Sequence, residues 1–504
     1  MRRHIEIMDT TLRDGEQTSG VSFSASEKLT IAQLLLTELK VDRIEIASAR
    51  VSDGEFQAVK KITEWATQQG LLDKVEVLTF VDGGTSVQWM LDAGAKVMNL
   101  LTKGSLNHLQ HQLKKTPAQH FAEIAETISL AISKGLDVNV YLEDWSNGMR
   151  NSKDYVLEYL DFLSQLPVKR ILLPDTLGVL IPSEVAEFIS ELVQRYPSVH
   201  FDFHAHNDYD LGTANALEAV RNGAHGLHLT VNGMGERAGN APLASVVAVL
   251  NDYQSDVQIS VCEKSLYGVS KLVETFSGFR IPANKPVVGE NVFTQTAGIH
   301  ADGDKKNNLY HNDLMPERFG RERKYALGKT SGKANIANNL AQLGIQLSDS
   351  DLKKVTQRII ELGDRKEVVT QNDLPYIISD VLDSNAIEER VQVLNYVLTH
   401  SKDLRPSVTL KISVDGDVFE EHAQGDGQYD AFMKALSIIF KKNGQDLPVL
   451  KDYAVRIPPG GDSDALCETI ITWAAGEREL ITRGLDSDQT VSAIKATQKM
   501  LNLI

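Results

Sequence analysis

Over the first 235 residues, short apolar β-rich runs alternate with longer stretches whose apolar positions repeat at helical spacing. Eight runs predict strands: Ile5–Asp9, Arg43–Ser48, Val75–Phe80, Val97–Thr102, Asp137–Glu143, Arg170–Asp175, His200–His206 and Leu227–Asn232. The stretch "SASEKLTIAQLLLTELK" shows the intervening helical pattern most clearly. Ser24 predicts the N-cap, and Glu27 closes a capping box. Leu29, Ala32, Leu35, Leu36 and Leu39 then fall on one face. Eight strand–helix units at roughly 30-residue spacing predict a (β/α)₈ barrel over residues 1–266. A doubly wound open sheet is the competitor, but it would carry a glycine-rich loop after its first strand, where this chain carries charges.

Residues 267–403 read as mostly helical, and 404–504 as a C-terminal α+β domain. In the latter, Val408, Leu410, Ile412 and Val414 alternate, Asp415-Gly416 predicts a hairpin turn, and a second strand follows. Phe432, Ala435, Leu436, Ile439 and Phe440 trace an amphipathic helix. Strands near Val449–Ile457, Ala465–Ala474 and Leu480–Thr482 and a helix over Gln489–Leu503 repeat the scheme, an internal β/β/α repeat. This region holds no acid–base constellation, which favours binding or assembly over catalysis.

The barrel pattern matters because polar residues collect where its strands end: Asp9, Glu45, Thr102, Glu143, Asp175, His204, His206 and Asn232. Barrel enzymes place their chemistry on that rim. In "FDFHAHND", strand alternation sends Phe201, Phe203 and Ala205 toward the helices and His204 and His206 toward the mouth. Two adjacent imidazoles fill a core poorly, because every ring nitrogen needs a partner. They suit a divalent metal, with two hydrogen-bonded structural histidines as the alternative. Strand seven of a closed barrel lies near strands one and eight. Asp14, after strand one, can add a carboxylate, and Asn240, in "NGMGERAGN" after strand eight, an amide oxygen. Two nitrogens and two oxygens, with positions left for water or substrate, describe an open catalytic metal site. The set suits Zn²⁺, Mn²⁺ or Mg²⁺ without choosing among them. Arg13 beside Asp14 then meets negative charge that the metal leaves over. A 2-oxo acid would chelate the metal, and attack at its carbonyl carbon would create an alkoxide for metal and arginine to stabilise. A structural Arg13–Asp14 pair is the plain alternative.

Composition narrows the partners. The 504-residue chain carries a net charge of −16, which disfavours nucleic acid and anionic membranes. No run approaches a membrane span, and the N-terminal "MRRHIEIMDT" lacks the apolar core of a signal peptide. Only Cys262 and Cys467 are present, with neither metal-ligand nor disulfide spacing, as expected for a reducing cytoplasm.

At "TTLRDGEQTSGVSF", "HAHNDYDLGTANALEAVRNGA" and "NGMGERAGNAPL" the chain resembles the acyl-CoA-dependent Claisen-condensing enzymes: 2-isopropylmalate, citramalate and homocitrate synthases. The resemblance covers essentially the whole chain. It implies a metal-dependent barrel that condenses acetyl-CoA with a 2-oxo acid and then hydrolyses the thioester. The family's metal ligands fall on Asp14, His204, His206 and Asn240. "VYLEDWSNG" looks most like the citramalate-forming members, whose oxo acid is pyruvate. Their substrate pocket maps onto Leu78, Leu101 and Tyr141, with Thr176 and Arg13 near the carboxylate. Isopropylmalate-forming members, the runner-up, tend to have smaller or more polar groups at this wall. The family's linker histidine and tyrosine, implicated in enolising acetyl-CoA, map to His300 and Tyr310 in "QTAGIHADGDKKNNLYHN". Glu143 or Glu236 would orient that histidine or share its proton. In the family this segment reaches the partner subunit's barrel, which implies a homodimer. The C-terminal domain resembles a feedback domain for a branched-chain amino acid, isoleucine or leucine. A metal-dependent lyase and an inactive amino-acid sensor are the competing readings; the long C-terminal extension disfavours the first and intact Arg13, Asp14, His204 and His206 the second.

Overall fold

The computed structural model describes residues 2–297, 309, 312–364, 369, 371–382, 390–456, 467–476 and 478–503. His300 and Tyr310 lie outside the described residues. The chain divides into two compact units, Met1–Thr294 with Tyr310–Lys324, and Gln295–Leu309 with Tyr325–Ile504.

In the first unit, β1 (Glu6–Asp9), β2 (Arg43–Ser48), β3 (Val75–Phe80), β4 (Val97–Lys103), β5 (Asp137–Glu143), β6 (Arg170–Asp175), β7 (Phe201–Ala205) and β8 (Gly226–Leu229) close a parallel barrel in chain order. Closure runs through β1 and β8, from Glu6 opposite Gly226 to Asp9 opposite Leu229. Around it lie α1 (Ala25–Thr37), α2 (Asp53–Gln69), α3 (Thr85–Asp92), α4 (Pro117–Ser133), α5 (Lys153–Leu163), α6 (Pro182–Arg195), α7 (Gly212–Arg221) and α8 (Leu243–Tyr253). The eightfold unit is therefore as the periodicity predicts, and α1 starts with the expected Ser24–Glu27 capping box. The strand expected over Leu227–Asn232 stops at Leu229, because the chain then turns and Asn232 adopts a left-handed φ of 60°.

Alternation along the strands sorts the barrel into two environments. Ile44, Ile46, Val75, Val77, Val138, Val140, Phe201 and Phe203 belong to one apolar core that takes in the helix faces. The positions between them are largely polar, and all of Arg43, Glu45, Glu76, Asn99, Asn139, Asp202, His204 and His228 are buried. Buried polar groups must be paired or lose about 1–3 kcal/mol each, so the interior is a hydrogen-bonded network with a small apolar cluster of Met8, Leu78, Tyr141 and Leu172, against which Leu101 packs.

The second unit holds helices Lys333–Gln342, Asp349–Asp364 and Leu374–Leu382 around Ile336, Leu340, Val355, Ile359 and Ile378. After them come β9 (Val391–Ser401), β10 (Leu404–Val414), β11 (Asp417–Gln424), helix Gln428–Lys442, β12 (Val449–Arg456), β13 (Cys467–Ala475), β14 (Arg478–Asp486) and helix Gln489–Leu501. Each three-stranded group is an antiparallel sheet, and both halves share one core containing Leu410, Phe432, Leu436, Trp473 and Ile494. The repeat is thus β/β/β/α, one strand longer than the sequence reading in its first half. The extra strand, β9, lies in the stretch read as mostly helical. A register shift between Val393 and Asn395 breaks its alternation, which hides the two-residue period. The Asp415-Gly416 hairpin is present, with φ values of 50° and 92°. Among the described residues, no helix is long and apolar enough to cross a membrane.

Candidate functional site

The loop after β8 is bound to the end of β7: Ala241 N donates to Ala205 O at 2.9 Å and Asn207 N to Gly239 O at 2.9 Å. This brings His206 into a bridge pairing with Asn240. Gly235 makes the approach possible. Its φ is +149°, and a Cβ there would lie 2.2 Å from Asn240 Nδ2 and 3.3 Å from Asp14 Oδ1. Asn240 Nδ2 donates to Met234 O at 3.0 Å, which fixes the amide and leaves Asn240 Oδ1 buried without a hydrogen-bond partner.

Asp14, His204 and His206 converge on the same place, one ligand atom of each lying within 4.8 Å of the others. Asp14 Oδ2 is 3.3 Å from His204 Nε2 and 3.8 Å from His206 Nε2. Asp14 Oδ1 and the Nδ1 atoms of both histidines are buried without partners. Burial pushes the His206 imidazole down to about 4 and lowers His204 as well, against the pull of Asp14. Burial works the other way on Asp14, but Arg13, then the histidines, hold its carboxyl well below the ordinary range. The four residues thus offer two neutral imidazoles, an anionic carboxylate and an amide oxygen, a donor set that fits a divalent cation.

Arg13 is locked beside this cluster. Its Nε donates to Glu45 Oε2 at 2.6 Å and its Nη1 to Asp14 Oδ2 at 3.0 Å. Glu45 is positioned by Thr10 and Asn99, at 2.8 Å each. With neutral histidines, Arg13, Asp14 and Glu45 leave one surplus negative charge. A dication would reverse its sign, which suits an anionic acid as ligand.

Leu78, Leu101 and Tyr141 meet inside the barrel, with Leu101 directly opposite Tyr141. The Tyr141 ring lies edge-on to His204, centroids 6.2 Å apart, and 5.8 Å from the Arg13 guanidinium carbon. Thr176 sits after β6, where its hydroxyl oxygen accepts from Asp144 N at 2.9 Å and its carbonyl from Arg237 at 2.8 Å. Glu143 points to the mouth but is ion-paired with Lys103, its neighbour across β4 and β5. Glu236 is exposed and its carboxylate lies 3.5 Å from Arg237; among the described residues it makes no hydrogen bond or ion pair with Asp14, Arg13 or the two histidines. Glu16, next but one to Asp14, serves the fold instead. It holds the buried Lys28 at 2.6 Å and accepts from Phe23 N.

Lys103 and His228 escape the sequence reading as members of the site, and Glu45 enters it only as one of the polar strand ends. All three occupy inward positions, alternating with Ile44 and Ile46, Thr102, and Leu227 and Leu229. That alternation was the available signal, but it does not say which inward polar groups touch one another.

Residues 4–273 match the HMGL-like family model, more than half of the chain. The chain belongs to the HMGL-like family. In this HMGL-like protein, residues 287–367 further match the homocitrate synthase post-HMGL domain-like model, and 368–504 the LeuA allosteric (dimerisation) domain. It is 35% identical to a Methanopyrus kandleri protein provisionally named (R)-citramalate synthase, over 91% of this chain and 88% of that protein. The (R)-citramalate synthase of Methanocaldococcus jannaschii is 32% identical, covering 99% of both chains. The 2-isopropylmalate synthase of the same organism is also 32% identical, covering 99% of this chain and 94% of that one. Overall identity to these two therefore does not separate the two named activities.

Proposed function

We propose that this protein is an acyltransferase that condenses acetyl-CoA with pyruvate and water to give (R)-citramalate and free CoA, for isoleucine biosynthesis. Asp14, His204, His206 and Asn240 would hold a divalent metal, Zn²⁺, Mn²⁺ or Mg²⁺, which supplies Lewis acidity to the keto oxygen of the 2-oxo acid. The fit rests on the convergence of Asp14, His204 and His206 within 4.8 Å and on the buried, unpartnered Asp14 Oδ1 and Asn240 Oδ1. Arg13, pinned by Glu45 and Asp14, presents its remaining edge toward Tyr141 and stabilises the alkoxide formed when the acetyl carbon attacks. His300 and Tyr310, with Glu143 or Glu236, would serve proton transfer from the acetyl methyl.

One observation carries the choice of oxo acid. The wall beside Arg13 is Leu101 against a buried Tyr141, and two bulky side chains in that position favour a methyl over an isopropyl group. The alternative, 2-isopropylmalate formation from 2-oxoisovalerate, requires that wall to open. CoA release with pyruvate, 2-oxoisovalerate and 2-oxoglutarate tests the assignment; preference for 2-oxoisovalerate would replace it. The C-terminal region would bind isoleucine or leucine as feedback inhibitor and join two subunits into a cytoplasmic homodimer. Its match to the allosteric (dimerisation) model supports this reading. Calorimetric titration of the full chain with each amino acid tests it, and heat from neither removes it.

A further inference from the structure

The phenol of Tyr141 is tied down inside the barrel at several points. Its hydroxyl lies 2.8 Å from His228 Nδ1, while Glu45 Oε2 and Arg13 Nη2 are both at 3.5 Å. His228 Nε2 is in turn 3.1 Å from Asp202 Oδ2. Asp202 is buried against Arg43 Nη2 at 2.5 Å, and this guanidinium keeps its carboxyl far below the ordinary range despite burial, with the His200 and His228 hydrogen bonds assisting. An ionised carboxylate only accepts, so the His228 Nε2 proton goes to Asp202. In the neutral ring, Nδ1 is then left as an acceptor, and the single phenolic hydrogen goes to it rather than to the more distant Glu45. Arg13 Nη2 approaches the same phenolic oxygen as a donor. The order is Arg13 to Tyr141 to His228 to Asp202.

The apolar contacts of the ring do not constrain it this way. Met8, Leu78 and Leu172 surround it as apolar neighbours, and apolar contact is non-directional. A ring held by packing alone could tilt when a longer substrate tail presses on it. A ring anchored at its hydroxyl cannot tilt without breaking buried hydrogen bonds.

We propose that His228 is a specificity-determining positioning residue: by holding the Tyr141 hydroxyl, it fixes the ring that closes the pocket beyond the methyl group of the 2-oxo acid. The inference rests on the condensation reading of the site. His228 need not touch substrate; it acts through Tyr141.

The test compares pyruvate with 2-oxobutyrate, which is longer by one methylene, as kcat/KM for CoA release by the full-length, metal-loaded protein. Tyr141→Phe removes the hydroxyl and keeps the ring. His228→Leu removes the acceptor. Each should lower the pyruvate preference about five- to ten-fold, and the double variant should lower it no further than either single one. His228→Asn, which keeps an acceptor on the Nδ1 side, should stay within about two-fold of the unmodified ratio. Metal content and the denaturation midpoint are read alongside. Tyr141→Phe conserves ring volume, so its result stands even where His228→Leu folds poorly. An equal loss for both substrates, or additive effects in the double variant, overturns the inference. Unmodified protein that releases CoA with neither oxo acid, or that does not favour pyruvate, overturns the functional reading instead.

Discussion

The barrel interior contains two layers built from the same residue types, and they differ in how their unpartnered polar atoms are arranged. Lower down, Arg43 reaches Glu76 at 2.9 Å, Asp202 at 2.5 Å and Glu6 at 3.0 Å, so each carboxylate has a guanidinium partner. Asn139 donates to Asn99, and Asn99 to Glu45, in an unbroken side-chain ladder. At the mouth, Asp14, His204, His206 and Asn240 each keep a buried side-chain nitrogen or oxygen without a hydrogen-bond partner. The lower layer also has such atoms, Arg43 Nε, Glu76 Oε2 and Asn139 Oδ1, but Asp14, His204 and His206 are distinguished by their convergence within 4.8 Å. A buried charge is tolerated where the chain itself supplies the partner, and open valence gathered at one point is the mark of a place for something else.

If that contrast is right, mutations in the two layers should fail differently. His204→Ala or His206→Ala should lower CoA release about 10³-fold or more, some 4 kcal/mol of barrier. Folding should be retained, because the residue removed leaves no charged partner stranded, and metal per chain by elemental analysis should fall in parallel. Near-full turnover after exhaustive chelation would sink the metal assignment.

Arg43→Met should do the reverse. It strands Asp202 and Glu76 in the interior, which costs about 3–5 kcal/mol of stability in chemical denaturation. A stable Arg43→Met protein would mean that the lower layer is not held by its ion pairs, and the comparison would lose its reference.

Arg13 belongs to both worlds, paired with Glu45 below and Asp14 above. Arg13→Lys keeps the charge but loses the planar fork that spans both carboxylates, so kcat should drop about 100-fold with metal content preserved. A variant that turns over normally would make Arg13 a structural residue.

The smallest effect concerns the wall. Tyr141→Ala opens room for the two extra carbons of an isopropyl tail, each worth about 0.8 kcal/mol. kcat/KM should move toward 2-oxoisovalerate by roughly ten-fold while pyruvate loses efficiency. An unchanged ratio would show that Tyr141 does not bound the pocket.

Local rules made much of this protein legible from its sequence. Strand alternation and helical spacing predicted the eight barrel units, Ser24 and Glu27 marked a helix start, and the inward pair His204 and His206 followed from a two-residue period. These signals are short-range, so one chain segment suffices to read them. Which inward groups meet was decided only by closure of the barrel. Glu45 takes Arg13 from 32 positions away, Tyr141 finds His228 across 87, and Lys103 pairs with Glu143 across 40. β9 escaped notice because a bulge shifts its alternation, and the bulge is defined by its partner strand. Periodicity sets the face on which a side chain emerges. Only tertiary contact decides whether a buried polar atom finds its partner within the chain, like Asp202, or is left open, like the unpartnered atoms of Asp14, His204, His206 and Asn240.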